Sequence, residues 1–303
     1  MANSTRNVRR PVTSGFLAVD KPPGMTSHDV VDRVRRALGT RKVGHAGTLD
    51  PDATGVLLLG VGRATRLLRY VGALPKSYVG EVVLGTETST LDSSGEVLAT
   101  FEMDVTLEAA RAAARQFVGD ILQVPPMVSA VKVGGRRLHE LAREGVEVER
   151  EARPVTVTRF DVVGFAEPGV LSVEVDCSSG TYVRTLAADL GRALGGGAHL
   201  RNLRRTAIGP HTELCPLDDL VLQPPLTAVA HLDRVAVEGE VADLVRLGRR
   251  LVRDGPTPFP GEGPWAVVEG EQLLAVYELR GEQAVPGVVL PAQSRISGDN
   301  PPQ

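Results

Sequence analysis

The residues best suited to chemistry lie between Gly44 and Gly55, in the run Gly-His-Ala-Gly-Thr-Leu-Asp-Pro-Asp-Ala-Thr-Gly. Asp50 precedes Pro51, whose ring fixes its own φ and pushes the residue before it toward extended backbone. A carboxylate held this way points in one direction. It can attack an electrophilic carbon and form a covalent intermediate, as in retaining glycosidases. To do so it must be ionised while partly buried, which calls for a cation or several donors beside it. Arg184, in Gly180-Thr181-Tyr182-Val183-Arg184-Thr185, is the best distant partner, because it opens a helix just after an apolar strand. Each residue also has a plainer reading. Asp-Pro is a common turn dipeptide, and Arg184 fits a surface helical arginine. Other chemistries find less support. No glycine-rich run ends in Lys-Ser or Lys-Thr at phosphate-loop spacing, no His-Glu-x-x-His occurs, and the six histidines show no metal spacing.

These residues need elements to position them. After Gly55 comes Val56-Leu57-Leu58-Leu59, an apolar run that reads as a buried strand and puts the polar loop at one end of a sheet. Phe16–Val19 is a short strand running into the stiff segment Asp20-Lys21-Pro22-Pro23-Gly24. Ser27 is suited to cap the helix that follows, with Val30, Val31, Val34 and Leu38 on its apolar stripe. A second short helix is expected to carry Arg63, Arg66 and Arg69 near one face. Together the two basic helices suggest a phosphate track flanking the glycine-rich loop. Residues 78–84 alternate as a strand, Thr106 caps an alanine-rich helix, and 155–163 with 170–177 reads as a hairpin. Gly134-Gly135 is read as turning the chain into a helix around Leu138 and Leu141. Beyond Gln223-Pro224-Pro225 the composition changes to short strands separated by proline and glycine, the mark of a small β-rich module.

Composition limits the function classes. The 303 residues carry a net charge of −3, with no run of 18 apolar residues and no signal peptide at the polar N-terminus. Two cysteines are too few for a disulfide framework and fit a reducing cytoplasm. The average charge hides a split. Residues 1–76 hold 13 Lys+Arg against 5 acids, whereas the remainder holds 21 against 32. That points to a basic face for a polyanion on an otherwise acidic molecule. Arginine supplies 30 of the 34 cations, and its planar fork suits phosphate, although genomic base composition also favours arginine.

Taken in order, the segments resemble the bacterial tRNA pseudouridine-55 synthases, the TruB family, from about residue 15 to 220. The likeness rests on Leu17-Ala18-Val19-Asp20-Lys21-Pro22-Pro23-Gly24-Met25-Thr26-Ser27, on Gly44–Leu57 and on Lys76-Ser77-Tyr78. It continues through Gln123-x-Pro125-Pro126-Met127-x-Ser129, Cys177–Leu186 and Gly196–Thr206. The resemblance implies isomerisation of one uridine in the tRNA T loop, at tRNA position 55, after it is flipped out, with no metal or organic cofactor. It makes Asp50 the catalytic aspartate and Arg184 the arginine that keeps it ionised. It implies that Tyr78 stacks on the base, that Tyr182 and Leu203 line the uracil pocket, and that His45 fills the place the flipped base leaves. Lys21 would support the active-site loop. Ser89 and His139 depart from the family pattern.

The expected fold is mixed α/β with a largely antiparallel central sheet. Residues 1–13 form a flexible basic tail, 14–224 the catalytic domain, 225–292 a small PUA-like RNA-binding domain and 293–303 a disordered tail. The expected partner is the tRNA T stem-loop, with no membrane and no obligatory protein partner, and the expected state is a cytoplasmic monomer. Two alternatives belong to other classes: a non-catalytic RNA chaperone that keeps the fold, and a guide-RNA-dependent synthase.

Overall fold

The computed structural model describes residues 14–290, apart from 130, 131, 134, 139–143, 145, 147 and 256. Both expected tails, most of the helix expected around Leu138 and Leu141, and the departure at His139 lie outside the described residues. Where that helix was expected to begin, Lys132–Val133 pairs with Arg136–Arg137 as a short hairpin.

A nine-stranded sheet organises the chain. Across it run Cys215–Pro216, Gly15–Lys21, Thr54–Val61, Ala198–Ile208, Lys76–Leu84, Val170–Cys177, Arg153–Glu167 and Gly119–Gln123, and Val43–Ala46 also pairs with Thr54–Val61. The pairing is antiparallel except at Cys215–Pro216 with Gly15–Lys21 and at Ala198–Ile208 with Thr54–Val61. The strand Thr54–Val61 divides one edge between two neighbours. Thr54 and Gly55 pair with Arg204 and Arg205, while Leu58 to Val61 pair with Ala46 to Val43. Glycine is required at 55: φ is +96°, and a Cβ there would lie 2.1 Å from the Arg205 carbonyl oxygen.

Period-two alternation on the central strands explains the layering. Leu17, Val19, Leu57 and Leu59 face the helix Ser27–Ala37 and meet its Val30, Val31 and Val34. Burial of each such side chain contributes about 1.5–3 kcal/mol. On the opposite face, Phe16, Ala18, Val56 and Leu58 share a core with Ala266, Val268, Val276 and Val288 of the C-terminal module. Farther along the sheet, the helices Leu107–Arg115 and Val183–Ala193 bury Ala110, Ala113, Leu186 and Leu190 against Val157, Leu171 and Val173. The C-terminal module has its own five-stranded sheet, ordered Asp233–Ala236, Trp265–Glu269, Gln272–Arg280, Gln283–Val289, Leu251–Val252.

Two local expectations need correction. The first helix is capped by Thr26, not Ser27. The Thr26 hydroxyl accepts from Asp29 N and the Asp29 carboxylate accepts from Thr26 N, closing a capping box. The segment carrying Arg63, Arg66 and Arg69 is a 3₁₀ turn, Gly62–Leu67, followed by the helix Leu68–Gly72. Arg66 Nη1 donates to Val289 O at 3.2 Å, and Arg69 pairs with Glu278, whose carboxylate also accepts from the Tyr70 hydroxyl at 2.7 Å. Two of the three arginines therefore reach the C-terminal module, although both remain exposed.

Candidate active site

The loop from Gly47 to Ala53 is fixed through its backbone. Arg205, 1% exposed, reaches from its strand to donate to Val56 O at 2.8 Å, Gly47 O at 2.9 Å and Thr48 O at 3.4 Å. Its guanidinium occupies the place where the edge of Thr54–Val61 passes from one neighbour to the other. Ser27, freed from capping, accepts from Leu49 N at 2.9 Å and donates to Leu49 O at 3.1 Å. Lys21 is fully buried, and its Nζ donates to Ala53 O at 2.7 Å, Pro51 O at 2.8 Å and Pro22 O at 3.0 Å. Burial lowers the Lys21 ammonium to about 8, against the opposing pull of Asp52, Asp50 and Asp29. Ala53 N closes the turn on Asp50 O at 3.2 Å. Buried carbonyls need donors, and here side chains distant in sequence supply them.

Asp50 projects from this fixed loop onto Arg184. Arg184 Nε lies 3.0 Å from Asp50 Oδ2, and Nη2 donates to Oδ1 at 3.1 Å, a two-pronged grip. The rest of the fork donates to Thr90 O and Val128 O, both at 2.8 Å, and lies 3.5 Å from Asp92 Oδ2. Arg184 is thus locked, with its side chain 5% exposed, whereas the Asp50 side chain keeps 40% open to a ligand. Arg184 favours the ionised carboxyl, as expected of it, but it does not act alone. Burial pushes Asp50 up from the ordinary value and Asp92 pushes the same way, so the pulls of Arg184 and Lys21 do not prevail.

Tyr78, 7% exposed, shares a hydrophobic cluster with Leu49 and Ala53 beside Asp50, and Leu203 packs against that cluster. A bulge sets Asn202 and Leu203 opposite Gly80, with Asn202 at φ +52°. Burial raises the Tyr78 phenol, and the Arg205 guanidinium beside its hydroxyl opposes that rise. Tyr182 is the residue before the helix Val183–Ala193. Buried Gln123 brackets its backbone: Tyr182 N donates to Oε1 at 2.7 Å and Nε2 donates to Tyr182 O at 3.1 Å. His45 stands in Val43–Ala46 opposite Leu59, just before the loop. Its buried Nδ1 has no hydrogen-bond partner among the described residues, and burial lowers its pKa. Asp50, Arg184, Tyr78, Leu203 and Lys21 are therefore brought together, Tyr182 adjoins them through Val183, and His45 flanks the loop.

Sequence reasoning gave no roles to Gln123, Asp92 and Arg205, and gave Ser27 the wrong one. Gln123 stood in one segment of the resemblance, and Arg205 in another, within the basic cluster Arg201, Arg204 and Arg205. That cluster is spent inside the protein, since Arg201 pairs with Glu81 and Glu167, and Arg204 grips Asp20 through two bonds of 2.9 and 3.0 Å. Partners from 22 to more than a hundred residues away reveal such roles.

Comparison with known proteins matches this chain to a family. Residues 35–183 fit the TruB family pseudouridylate synthase N-terminal domain, and 184–224 the tRNA pseudouridylate synthase B C-terminal domain. The fold is thus that of a pseudouridylate synthase. A tRNA pseudouridine synthase B of Mycobacteroides abscessus is 45% identical over 294 residues, covering 91% of this chain and 96% of the relative. One from Nocardia farcinica is 47% identical over 292 residues, covering 91% and 93%. The chain belongs to the TruB family. Among solved structures, a Cbf5-Nop10-Gar1 complex matches with TM-score 0.72 and 28% identity, covering 91% of this chain and 85% of that one. An H/ACA RNP bound to a substrate RNA containing 2'-deoxyuridine matches with TM-score 0.71 and 25% identity, over the same shares.

Proposed function

We propose that this protein converts the uridine at position 55 of the tRNA T loop to pseudouridine, with Asp50 as the nucleophile. The observation that carries the reading is the asymmetry of the central pair, in which Arg184 is locked and enclosed while Asp50 keeps an open side. A pure RNA binder gains nothing from aiming a carboxylate at an anionic ligand. The net reaction breaks the bond from uracil N1 to C1′ of the ribose and forms one from C5 to C1′. C5 gives up its proton and N1 ends with one. Asp50 enters as the carboxylate and is regenerated, whether it adds to the base or to C1′. Tyr78 offers its ring to the flipped base and stands near the proton to be removed. Tyr182 and Leu203 line the uracil pocket, and Lys21 keeps the loop in place. His45 takes the position the base vacates, which offsets part of the few kcal/mol that flipping costs.

Relatives named as tRNA pseudouridine synthase B support tRNA as substrate. Among the described residues no helix is long and apolar enough to cross a membrane. A cytoplasmic monomer acting without protein partners completes the reading, and the C-terminal module would be a second RNA contact.

The test is site-resolved pseudouridine mapping on an unmodified tRNA transcript with purified protein. Modification is expected at the T-loop uridine alone. The Asp50→Asn protein should bind the RNA yet convert it slower by on the order of 10⁴-fold or more. Tight binding without conversion by the wild type would replace this reading with the chaperone or the guide-RNA-dependent enzyme.

A further inference from the structure

The strand Gly119–Gln123 ends the large sheet, paired with Arg153–Glu167. Its alternate residues Gly119, Ile121 and Gln123 stand opposite Val157, Val155 and Arg153, and Ile121 and Val157 pack into the core beneath the helices. Gln123 therefore occupies an inward position where the alternation calls for an apolar side chain, while Leu122 faces outward and is 73% exposed. An amide at 2% exposure is costly unless both its ends are bonded. Both are, and to one residue. Oε1 accepts from Tyr182 N at 2.7 Å and Nε2 donates to Tyr182 O at 3.1 Å. The side chain thus stands in for a neighbouring strand, since an antiparallel hydrogen-bonded pair exchanges the same two bonds. Turned over, it would set donor against donor and acceptor against acceptor, so one orientation alone satisfies the pair.

Tyr182 sits at the N-cap of the helix Val183–Ala193, with φ −103° and ψ 106°, and its own side chain does not cap that end. Gln123 fixes the backbone there, two positions before Arg184, whose guanidinium grips Asp50. The chain leaving Gln123 returns to the same fork. Past the stiff pair Pro125-Pro126, Val128 O accepts from Arg184 Nη2 at 2.8 Å. One segment, 123–128, therefore bears on both Tyr182 and Arg184.

We propose that Gln123 is a positioning residue for the isomerisation, its amide holding Tyr182 in the backbone setting that walls the uracil pocket and aims Arg184 at Asp50. The proposal rests on the isomerase reading and deepens it by adding a residue that acts without touching the RNA. Binding and conversion should therefore part. RNA affinity comes largely from phosphate contacts, which a buried amide leaves alone. A small misplacement at a reacting centre, by contrast, costs up to about 10²-fold in rate.

The experiment compares wild type, Gln123→Met and Gln123→Glu on an unmodified tRNA transcript, measuring affinity and single-turnover conversion over the pH range in which all three stay folded. Gln123→Met keeps the bulk of the side chain and loses both bonds. Its affinity should stay within about twofold of wild type while conversion slows by about ten- to a hundredfold. Gln123→Glu is nearly isosteric. As a carboxylate it still accepts from Tyr182 N but sets an oxygen against Tyr182 O, whereas once protonated it donates there as the amide does. Burial favours the protonated form. The ratio of its rate to that of wild type should therefore climb as pH falls, while the Gln123→Met ratio stays flat. Asp50 ionises in every protein, so these ratios isolate the state of residue 123. Val245→Ala, which opens a cavity in the C-terminal module's own core, supplies a destabilised protein that should convert at the wild-type rate. A flat Gln123→Glu ratio, equal slowing in Val245→Ala, or a Gln123→Met rate within about twofold of wild type would overturn the role. A fall in affinity large enough to account for the slower conversion would overturn it as well, by placing Gln123 in RNA binding. Absence of conversion by the wild type would sink the isomerase reading itself, a result distinct from any of these.

Discussion

Asp50 is balanced between opposing influences, and its reactivity should follow them. Burial and the Asp92 charge raise its proton affinity, while Arg184 and Lys21 lower it. In the proposed reaction the reactive form is the carboxylate. Single-turnover conversion should therefore fall on the acid side with an apparent pKa above that of an ordinary aspartate. Asp92→Asn should move this acid limb to lower pH, because it deletes a like charge. An amide there can still accept at Oδ1 from Thr90 Oγ1, now at 2.6 Å, and from Ser94 N, now at 3.1 Å. A pH–rate profile that moves the other way would show that Asp92 acts through Arg184's position instead. The pairing of Asp50 with Arg184 was open to sequence reading as one of two choices, carried by the residue types and the resemblance. The sign of the Asp50 shift was not, since it depends on how much protein surrounds the carboxyl and on Asp92, whose place beside Arg184 only the fold shows.

At the scale of elements, Thr26 and Ser27 show how adjacent hydroxyls divide their work. Thr26 closes the helix end and Ser27 pins Leu49 through both its backbone groups. Thr26→Ala should cost about 1 kcal/mol of stability and leave conversion intact. Ser27→Ala should cost about 1–3 kcal/mol and also slow conversion about tenfold or more, because it loosens the loop that aims Asp50. Thermal melts with single-turnover rates on both variants separate the two roles, and equal rates would remove Ser27 from the positioning of the loop. The helix itself was readable from the stripe of Val30, Val31 and Val34. Which hydroxyl capped it was not, because either suits the position and only Leu49, 22 residues on, decides. The same limit applies to Arg66 and Arg69, whose partners lie more than 200 residues later.

For the whole molecule, the two sheets share one apolar interior. Phe16, Ala18, Val56 and Leu58 lie against Ala266, Val268, Val276 and Val288, and the Arg69–Tyr70–Glu278 group stitches the rim. A chain ending at residue 224 should therefore expose a continuous apolar face, bind a hydrophobic dye and aggregate, while the full chain melts in one transition. Calorimetry and dye binding on both chains check this, and a well-behaved shortened protein would show that the shared interior contributes little. The antiparallel sheet and its flanking helices were legible as alternation and stripes. This junction was not, because the strands at both ends are apolar on both faces and their pattern does not say what covers each one. The shared interior also sets a schedule. The strand Gly15–Lys21 leaves the ribosome well before Ala266, Val268, Val276 and Val288, which cover its second face, are made. At about 5–20 residues per second, that face waits on the order of tens of seconds for its cover. Throughout that interval the nascent protein is a client for whatever binds apolar strands during synthesis.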